Sequence, residues 1–352
     1  MASGSVVITG SSTGIGRAVA ELLVRKGFFV FGSVRKEADA VSMTEALGST
    51  CFTPLLFDVT DEVAVAKAAA TVRTELGGKR LVGLINNAGL APLGPLELQP
   101  LADARRVLDV NVIGQLIVTR AFLPLLGTDS SFTGLPGRIV MISSVGGLFT
   151  LPGFGMYSAS KHALEAVSNG LRREMRVYGI KVVVVEPGMV KTEIQGKGVV
   201  EIDSTGYDGT PYAALMDGIR DTLQSTGPDA KVGPLATALS SAECAETIYT
   251  ALTARRPWAR GFSKVAYSSD SRRQNFVTDW LRIYLTSMKV QRAKCPSLRP
   301  KRFQMRCLNW SLDRGSQVHV ACQNSGDPPA KSCIKLHEGA HLRRRVRALA
   351  TQ

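Results

Sequence analysis

Short apolar runs recur along the first three quarters of the chain, and between them stand stretches whose apolar residues fall three and four positions apart. Runs of this kind predict strands near 6–9, 28–34, 51–58, 81–86, 138–143, 181–186 and 262–267. The intervening period predicts helices near 15–26, 37–47, 62–76, 101–126, 156–177 and 242–254,. Val6-Val7-Ile8 and Val182-Val183-Val184-Val185 are apolar at every position rather than at alternate ones. A strand of that kind is covered on both faces, so the alternation predicts βαβ units winding a parallel sheet between helices.

Two stretches break the pattern. Residues 195–233 are rich in Gly, Thr, Asp and Pro, with a helical patch around 212–222. They read as an excursion over the sheet edge, either a substrate lid or a surface insertion. Beyond 267 no periodicity persists, so 1–267 read as one domain and 268–352 as a basic extension without regular structure,.

Charge separates the same two parts. The formal net charge is +14, yet residues 255–352 hold 21 Lys and Arg against 5 Asp and Glu, which leaves 22 basic and 24 acidic residues in the rest. The regular part is therefore nearly neutral, and its chemistry requires no nucleic-acid or membrane partner. Cys51 and Cys244 stand alone in apolar contexts and read as buried thiols of a reducing compartment,. No apolar run reaches membrane-spanning length and no leader precedes the first strand, so the expected location is cytoplasmic.

Candidate chemistry sits at the ends of the predicted strands. Gly10, Ser11, Ser12, Thr13, Gly14, Ile15 and Gly16 follow the first strand and open a helix. Glycines there let the backbone approach a pyrophosphate while the helix N-terminus offers unpaired N–H groups; an ordinary glycine-rich turn is the other reading. The second strand ends in Arg35-Lys36 rather than in the acidic residue that would hold an adenosine ribose,. Guanidinium and ammonium there suit a ribose 2′-phosphate, so NADP is expected before NAD, unless both are simply solvated charges. Asp58, with Val59 beside it, either accepts from the adenine amino group or caps the next helix. Asn87, Ala88 and Gly89 close the fourth strand with small residues that admit a ribose, or form a tight turn.

Tyr157 and Lys161 lie four apart in a predicted helix and share a face,. An ammonium beside a phenol, together with the positive charge of an oxidised nicotinamide, is expected to draw the phenol pKa down toward working pH, as proton transfer requires. Ser144, just past the fifth strand, can donate to the same substrate oxygen,. Leu148, Phe149, Pro152, Phe154 and Met156 lie between Ser144 and Tyr157, where they line an apolar pocket or belong to the core.

TGSSTGIG at 9–16, NNAG at 86–89, DVNVIG at 109–114, ISS at 142–144, YSASK at 157–161 and EPG at 186–188 occur in this order. The set resembles the short-chain dehydrogenase/reductase family, in its single-domain NADP-preferring branch, over roughly 5–260. The resemblance implies a Rossmann-like, doubly wound, seven-stranded parallel sheet flanked by helices, followed here by a C-terminal tail foreign to the family. It implies reversible alcohol–carbonyl redox with NADP(H) on a small, largely apolar substrate, no metal, and a homodimer or homotetramer built through the helices near 101–126 and 156–177. It makes Ser144, Tyr157 and Lys161 a catalytic triad. Asn111 would complete a tetrad by holding a water that links Lys161 to solvent. It also gives Lys161 the nicotinamide ribose hydroxyls, and assigns Pro187, Gly188, Val190 and Thr192 to the nicotinamide carboxamide and nearby phosphate.

A noncatalytic NADPH-binding sensor or scaffold, its basic tail docking on membrane or nucleic acid, is the alternative function. The tail itself admits three readings. Arg343, Arg344, Arg345 and Arg347, with an amphipathic stretch at 276–288 carrying Trp280, Leu281, Tyr284 and Met288, suit an anionic surface; Cys322, Cys333, His337 and His341 could ligate a metal; or the segment arose from altered reading of the coding sequence,.

Overall fold

The computed structural model describes residues 4–188, 190–191, 205–224, 239–254, 264–266, 306–312, 318–323 and 330–334. The chain divides into two units, Met1–Met288 and Lys289–Gln352. In the first, strands β1 (Ser5–Ile8), β2 (Phe29–Val34), β3 (Phe52–Leu56), β4 (Gly83–Asn86), β5 (Arg138–Ile142) and β6 (Lys181–Glu186) form one parallel sheet in the order β3-β2-β1-β4-β5-β6. A short strand at Lys264–Ala266 adds parallel to β6 at the edge. The doubly wound Rossmann-like sheet thus agrees with the reading of the sequence.

Both faces are buried because both sets of alternate residues are apolar. Val7, Phe31, Leu84, Ile139, Met141 and Val184 pack on one side, and Val6, Ile8, Val30, Ile85, Val140 and Val185 on the other. The first face is covered by α3 (Glu62–Leu76), α5 (Gln115–Leu123) and α6 (Gly155–Glu174), the second by α1 (Gly14–Arg25), α2 (Glu37–Leu47) and α8 (Ser241–Thr253). Arg138 is buried at the start of β5, where its guanidinium donates to the carbonyls of Ala251 and Ala254 and so satisfies the open end of α8,.

Strand order reverses between β1 and β4. Chain crossing from β3 to β4 leaves a crevice at the carboxyl ends of these two strands, the place where open α/β sheets take ligands. The turns after β1, β4 and β5 all open there.

Three sequence expectations need correction. The helix predicted over 101–126 is not one regular helix: α4 (Leu101–Leu108) and α5 are joined by a widened π-helical turn, Asp109–Gly114. The continuous helical span Leu101–Thr128 is also long and apolar enough, by length and composition, to cross a membrane, although Val107, Val118, Phe122, Leu125 and Leu126 are buried in this fold. Asp58 does not cap α3. Asp61 does, accepting from Ala64 N at 2.9 Å, while Asp58 turns the chain by accepting from Thr60. Of the two isolated thiols, Cys244 is buried, and burial pushes it up to about 12; Cys51 is half-buried.

The second unit contains three antiparallel strands, Arg306–Leu312, Val318–Gln323 and Ala330–Ile334. They stand in a segment for which periodicity predicts no regular structure; runs such as Val318-His319-Val320 are too short to register as a pattern. Cys322 and Cys333 fall on the second and third strands. His337, His341, the arginines at 343–345 and 347, and residues 276–288 lie outside the described residues.

Candidate active site

A single cleft of about 560 Å³ runs across the carboxyl ends of the strands. Its first end is a set of turns locked together by side chains. Gly10 and Gly14 have φ of +66° and +57°, a region that residues with a Cβ avoid,. Thr13 stands at the N-cap of α1 without a side-chain capping bond, and the first turn carries no acidic residue. Those open N–H groups and the positive end of the helix fit the phosphates of a dinucleotide.

Thr9 holds this turn against β4: its hydroxyl accepts from Asn87 N at 2.9 Å and Ala88 N at 3.0 Å. The Asn87 amide donates back to the Thr9 and Gly10 carbonyls, each at 3.0 Å. Ser33 on β2 does the same from the other side, accepting from Gly10 N at 2.9 Å through its hydroxyl and from the Ser11 hydroxyl at 3.0 Å through its carbonyl. Ser11 is therefore spent inside the fold. Gly10, Ser12, Thr13 and Ile15 line the cleft, whereas Ser11, Gly14 and Gly16 shape it without reaching its surface. Thr9 and Ser33 were not singled out as functional residues from sequence; the hydroxyl just after β1, directly before the glycines, was the available signal.

Arg35, Lys36, Asp58 and Val59 line the same end. Arg35 reaches Asp58 at 3.8 Å, both side chains being substantially exposed. An exposed pair at that distance contributes at most about 1 kcal/mol, so the guanidinium is readily given up to a better anion.

The turn after β4 is buttressed from the helices. Gln115 donates to the Ala88 carbonyl. Asn111, fully buried within the π-helical turn, clasps Leu90: its Oδ1 accepts from Leu90 N at 2.7 Å and its Nδ2 donates to the Leu90 carbonyl at 2.8 Å. The same Nδ2 donates to Ser160 Oγ at 2.9 Å, and Ser160 in turn donates to the Tyr157 carbonyl at 2.6 Å. Widened turns of this kind re-aim a side chain at functional sites, and here the widening brings Asn111 between the Ala88–Leu90 turn and α6. Its side-chain contacts are to protein, and it does not itself line the cleft.

Ser144, Tyr157 and Lys161 meet at the middle of the cleft. Ser144 caps a short 3₁₀ turn, Val145–Gly147, by accepting from Gly146 N at 3.1 Å, and it shares a hydrogen bond with Tyr157. Lys161, on the turn of α6 after Tyr157, donates from Nζ to the Ile142 carbonyl at 2.9 Å and lies 5.9 Å from the centroid of the Tyr157 ring. A Cβ at Gly89 would come 3.2 Å from Asn111 Oδ1 and 3.7 Å from Lys161 Nζ, so this turn packs closely on both side chains.

Burial sets the charges. It pushes the Tyr157 phenol above its ordinary pKa, outweighing the Ser144 hydrogen bond, which acts the other way. The expectation from sequence was a phenol lowered by Lys161 and an oxidised nicotinamide together; the chain's own groups push the other way, because of the cost of taking a phenolate out of water,. Burial also lowers Lys161 to about 8, against the opposing charge of Glu165. At neutral pH the site therefore holds a protonated phenol beside a lysine that is still largely ammonium.

The other end of the cleft is apolar. Helix α7 (Ala213–Gln224), within the described part (205–224) of the 195–233 excursion, buries Met216 and Ile219 against Leu93 and Tyr207, with Leu151, Phe154 and Tyr157 packed on the same cluster. Gly153, at φ +79°, makes the room: a Cβ there would stand 2.8 Å from Ile219 Cδ1. Phe149 and Phe154 line the cleft as expected, joined by Leu93, Leu151 and Arg220; Leu148, Pro152 and Met156 do not line it. Pro187, Gly188 and Val190 border the cleft beside Ser144, whereas Thr192 lies outside the described residues.

The profile of the short chain dehydrogenase family matches residues 5–201. The NADPH-dependent 3-dehydrocapnine reductase of Ornithobacterium rhinotracheale is 42% identical over 224 residues, covering 63% of this chain and 78% of that protein. Retinol dehydrogenase 5 of Mus musculus is 40% identical over 190 residues, or 54% of this chain, and the match spans 57% of that protein's length. Among solved structures, a short-chain dehydrogenase from Streptomyces avermitilis has a TM-score of 0.63 at 29% identity, over 84% of this chain and 98% of that one. A family match over residues 5–201, more than half of the chain, on a shared fold, makes this chain a member of the short-chain dehydrogenase family.

Proposed function

We propose that this oxidoreductase uses NADPH to reduce a bulky, largely apolar carbonyl compound to the alcohol, and that it runs the reverse oxidation when product and NADP accumulate. The observation that carries the reading is the meeting of Ser144, Tyr157 and Lys161 at one point of a cleft that is basic and turn-built at one end and apolar at the other. When bound, the cofactor supplies a hydride to the carbonyl carbon. Ser144 donates a hydrogen bond to the carbonyl oxygen, and Tyr157 passes it a proton as negative charge develops there. Lys161 stabilises the phenolate that remains. Hydride on carbon and proton on oxygen complete the alcohol, and solvent returns the proton to Tyr157. Asn111 supports the exchange by fixing the Leu90 turn and the Tyr157 carbonyl.

Arg35 and Lys36 would take the ribose 2′-phosphate, with Arg35 leaving Asp58 to do so; NAD, without that phosphate, gains nothing from them. The printed name of the 3-dehydrocapnine reductase, an NADPH enzyme, agrees with this preference. We place the protein in the cytoplasm, as a homodimer or homotetramer joined through α4, α5 and α6, where Leu101 and Ile113 are exposed.

The test is a panel of carbonyls of graded size, from short aldehydes to steroid ketones and long-chain ketones, followed by NADPH oxidation and product analysis. The reading expects turnover that improves with apolar bulk. Tight NADPH binding with no turnover across the panel would contradict it and favour a noncatalytic sensor.

A further inference from the structure

The buried face of α6 carries a line of charges that the reaction as described leaves partly unused. Lys161, Glu165 and Arg172 occupy one stripe by their spacing, with Ser168 between the last two,. Lys161 and Glu165 are only 5% and 6% exposed, and Glu186 on the neighbouring β6 is 1% exposed. Arg172 lies half-buried, its Nε donating to the Val182 carbonyl at 3.0 Å. Charged side chains are rarely taken this far from water unless others of opposite sign accompany them. Here the signs alternate, and Glu165 acts on both Lys161 and Arg172.

Glu165 also has a seat made for it. A Cβ at Gly147 would come 3.2 Å from Glu165 Cγ, 3.1 Å from the Lys161 carbonyl and 2.8 Å from Ser143 Oγ. The missing side chain at Gly147 is the space into which the glutamate stem fits. Gly147 belongs to the 3₁₀ turn that Ser144 caps, so Glu165 lies between the helix bearing Tyr157 and Lys161 and the turn bearing Ser144.

We propose that Glu165 is a positioning residue for proton transfer: its buried stem, seated on Gly147, braces the turn that presents Ser144 and sets a carboxyl group one helical turn from Lys161. The proposal rests on the catalytic reading of Tyr157 given above. The groups acting on Lys161 are Tyr157 and Glu165 on its own helix and the Ile142 carbonyl from β5; Glu165, Glu186 on β6 and Arg173 act on Arg172. The acidic side chain that opposes the effect of burial on Lys161 is Glu165. Lys161 stabilises the phenolate only while protonated, so reduction is supported below its pKa and is lost as pH rises through about 8.

The test compares wild type, Glu165→Gln and Glu165→Asp by the pH profile of kcat/KM for NADPH-dependent reduction, alongside NADPH titration and thermal unfolding. Gln keeps the shape and removes the charge. The expected result is a basic limb displaced downward by about one pH unit or more in Glu165→Gln, a smaller displacement in the same direction in Glu165→Asp, whose shorter stem withdraws the carboxylate, and NADPH binding retained in both. A Glu165→Gln enzyme that folds, binds NADPH and keeps the wild-type limb overturns the proposal. If the Gln variant does not fold, a basic limb in Glu165→Asp indistinguishable from wild type overturns it, and a smaller displacement in the same direction supports it. Tyr157→Phe, assayed in parallel, separates the two levels: full turnover there defeats the catalytic reading itself, whereas loss of turnover with an unmoved Glu165→Gln limb defeats only the role of Glu165.

Discussion

The two ends of the cleft are built on opposite principles. At the Arg35 end, three turns from β1, β2 and β4 are cross-linked by Thr9, Ser33 and Asn87, and the ligand is offered backbone N–H groups, a helix terminus and two cations. At the α7 end, Leu93, Leu151 and Phe154 offer apolar surface to the cleft, backed by Met216 and Ile219 of α7, so that three separated segments build it. A phosphate is recognised through fixed dipoles, which demand fixed backbone. An apolar body is recognised through shape, which side chains can change without altering the turns behind them. The first end is thus suited to a constant ligand and the second to a variable one, with Ser144, Tyr157 and Lys161 where they meet.

Substitutions at the junction and at each end sharpen that contrast. The largest effect is expected at the junction, where Tyr157→Phe removes the proton donor and lowers kcat for reduction about 10³-fold, with NADPH affinity kept, as steady-state kinetics and fluorescence titration would read. At the polar end, Arg35→Ala is expected to weaken NADPH about 10- to 100-fold, the equivalent of losing charged hydrogen bonds, and to leave NADH unchanged; equal loss for both cofactors would remove Arg35 from 2′-phosphate recognition. The smallest change belongs to the apolar end. Leu151→Ala, in the lining of the cleft, should raise KM for a bulky ketone about tenfold, as lost apolar contact does, while a short aldehyde and NADPH respond little; a parallel loss of NADPH affinity would mean that the two ends are not separable.

The same contrast explains what could be read from the amino acids alone. Six strands and the glycine turn were legible because they follow from local chemistry: unbroken apolar runs, positive-φ glycines, and Tyr157 and Lys161 one helical turn apart. Asp58 and Asp61 both stand before α3, and only the geometry shows that Asp61 caps it. The π-helical turn at Asp109–Gly114 is marked only by Gly114 at its end, which a regular helix also tolerates; the clasp of Asn111 on Leu90 and Ser160 depends on contacts across 21 and 49 positions. The apolar wall was half legible. Phe149 and Phe154 lie beside Tyr157 in sequence, whereas Leu93 is brought to the cleft by folding, with Met216 and Ile219 packed behind it. Glu165 was within reach of sequence reasoning, four residues after Lys161, but a glutamate in a helix reads as solvent-facing until its burial is known,.

The central claim, that this chain moves a hydride from NADPH and a proton from Tyr157 onto one carbonyl, is tested most directly by isotope transfer. NADPH carrying deuterium at the transferable position would be incubated with a bulky ketone that turns over, and the alcohol analysed by mass spectrometry for wild type and Tyr157→Phe. The account predicts deuterium on the former carbonyl carbon with wild type, and almost no labelled alcohol from the variant despite bound NADPH. Unlabelled alcohol from wild type, or labelled alcohol from Tyr157→Phe at the wild-type rate, would contradict it.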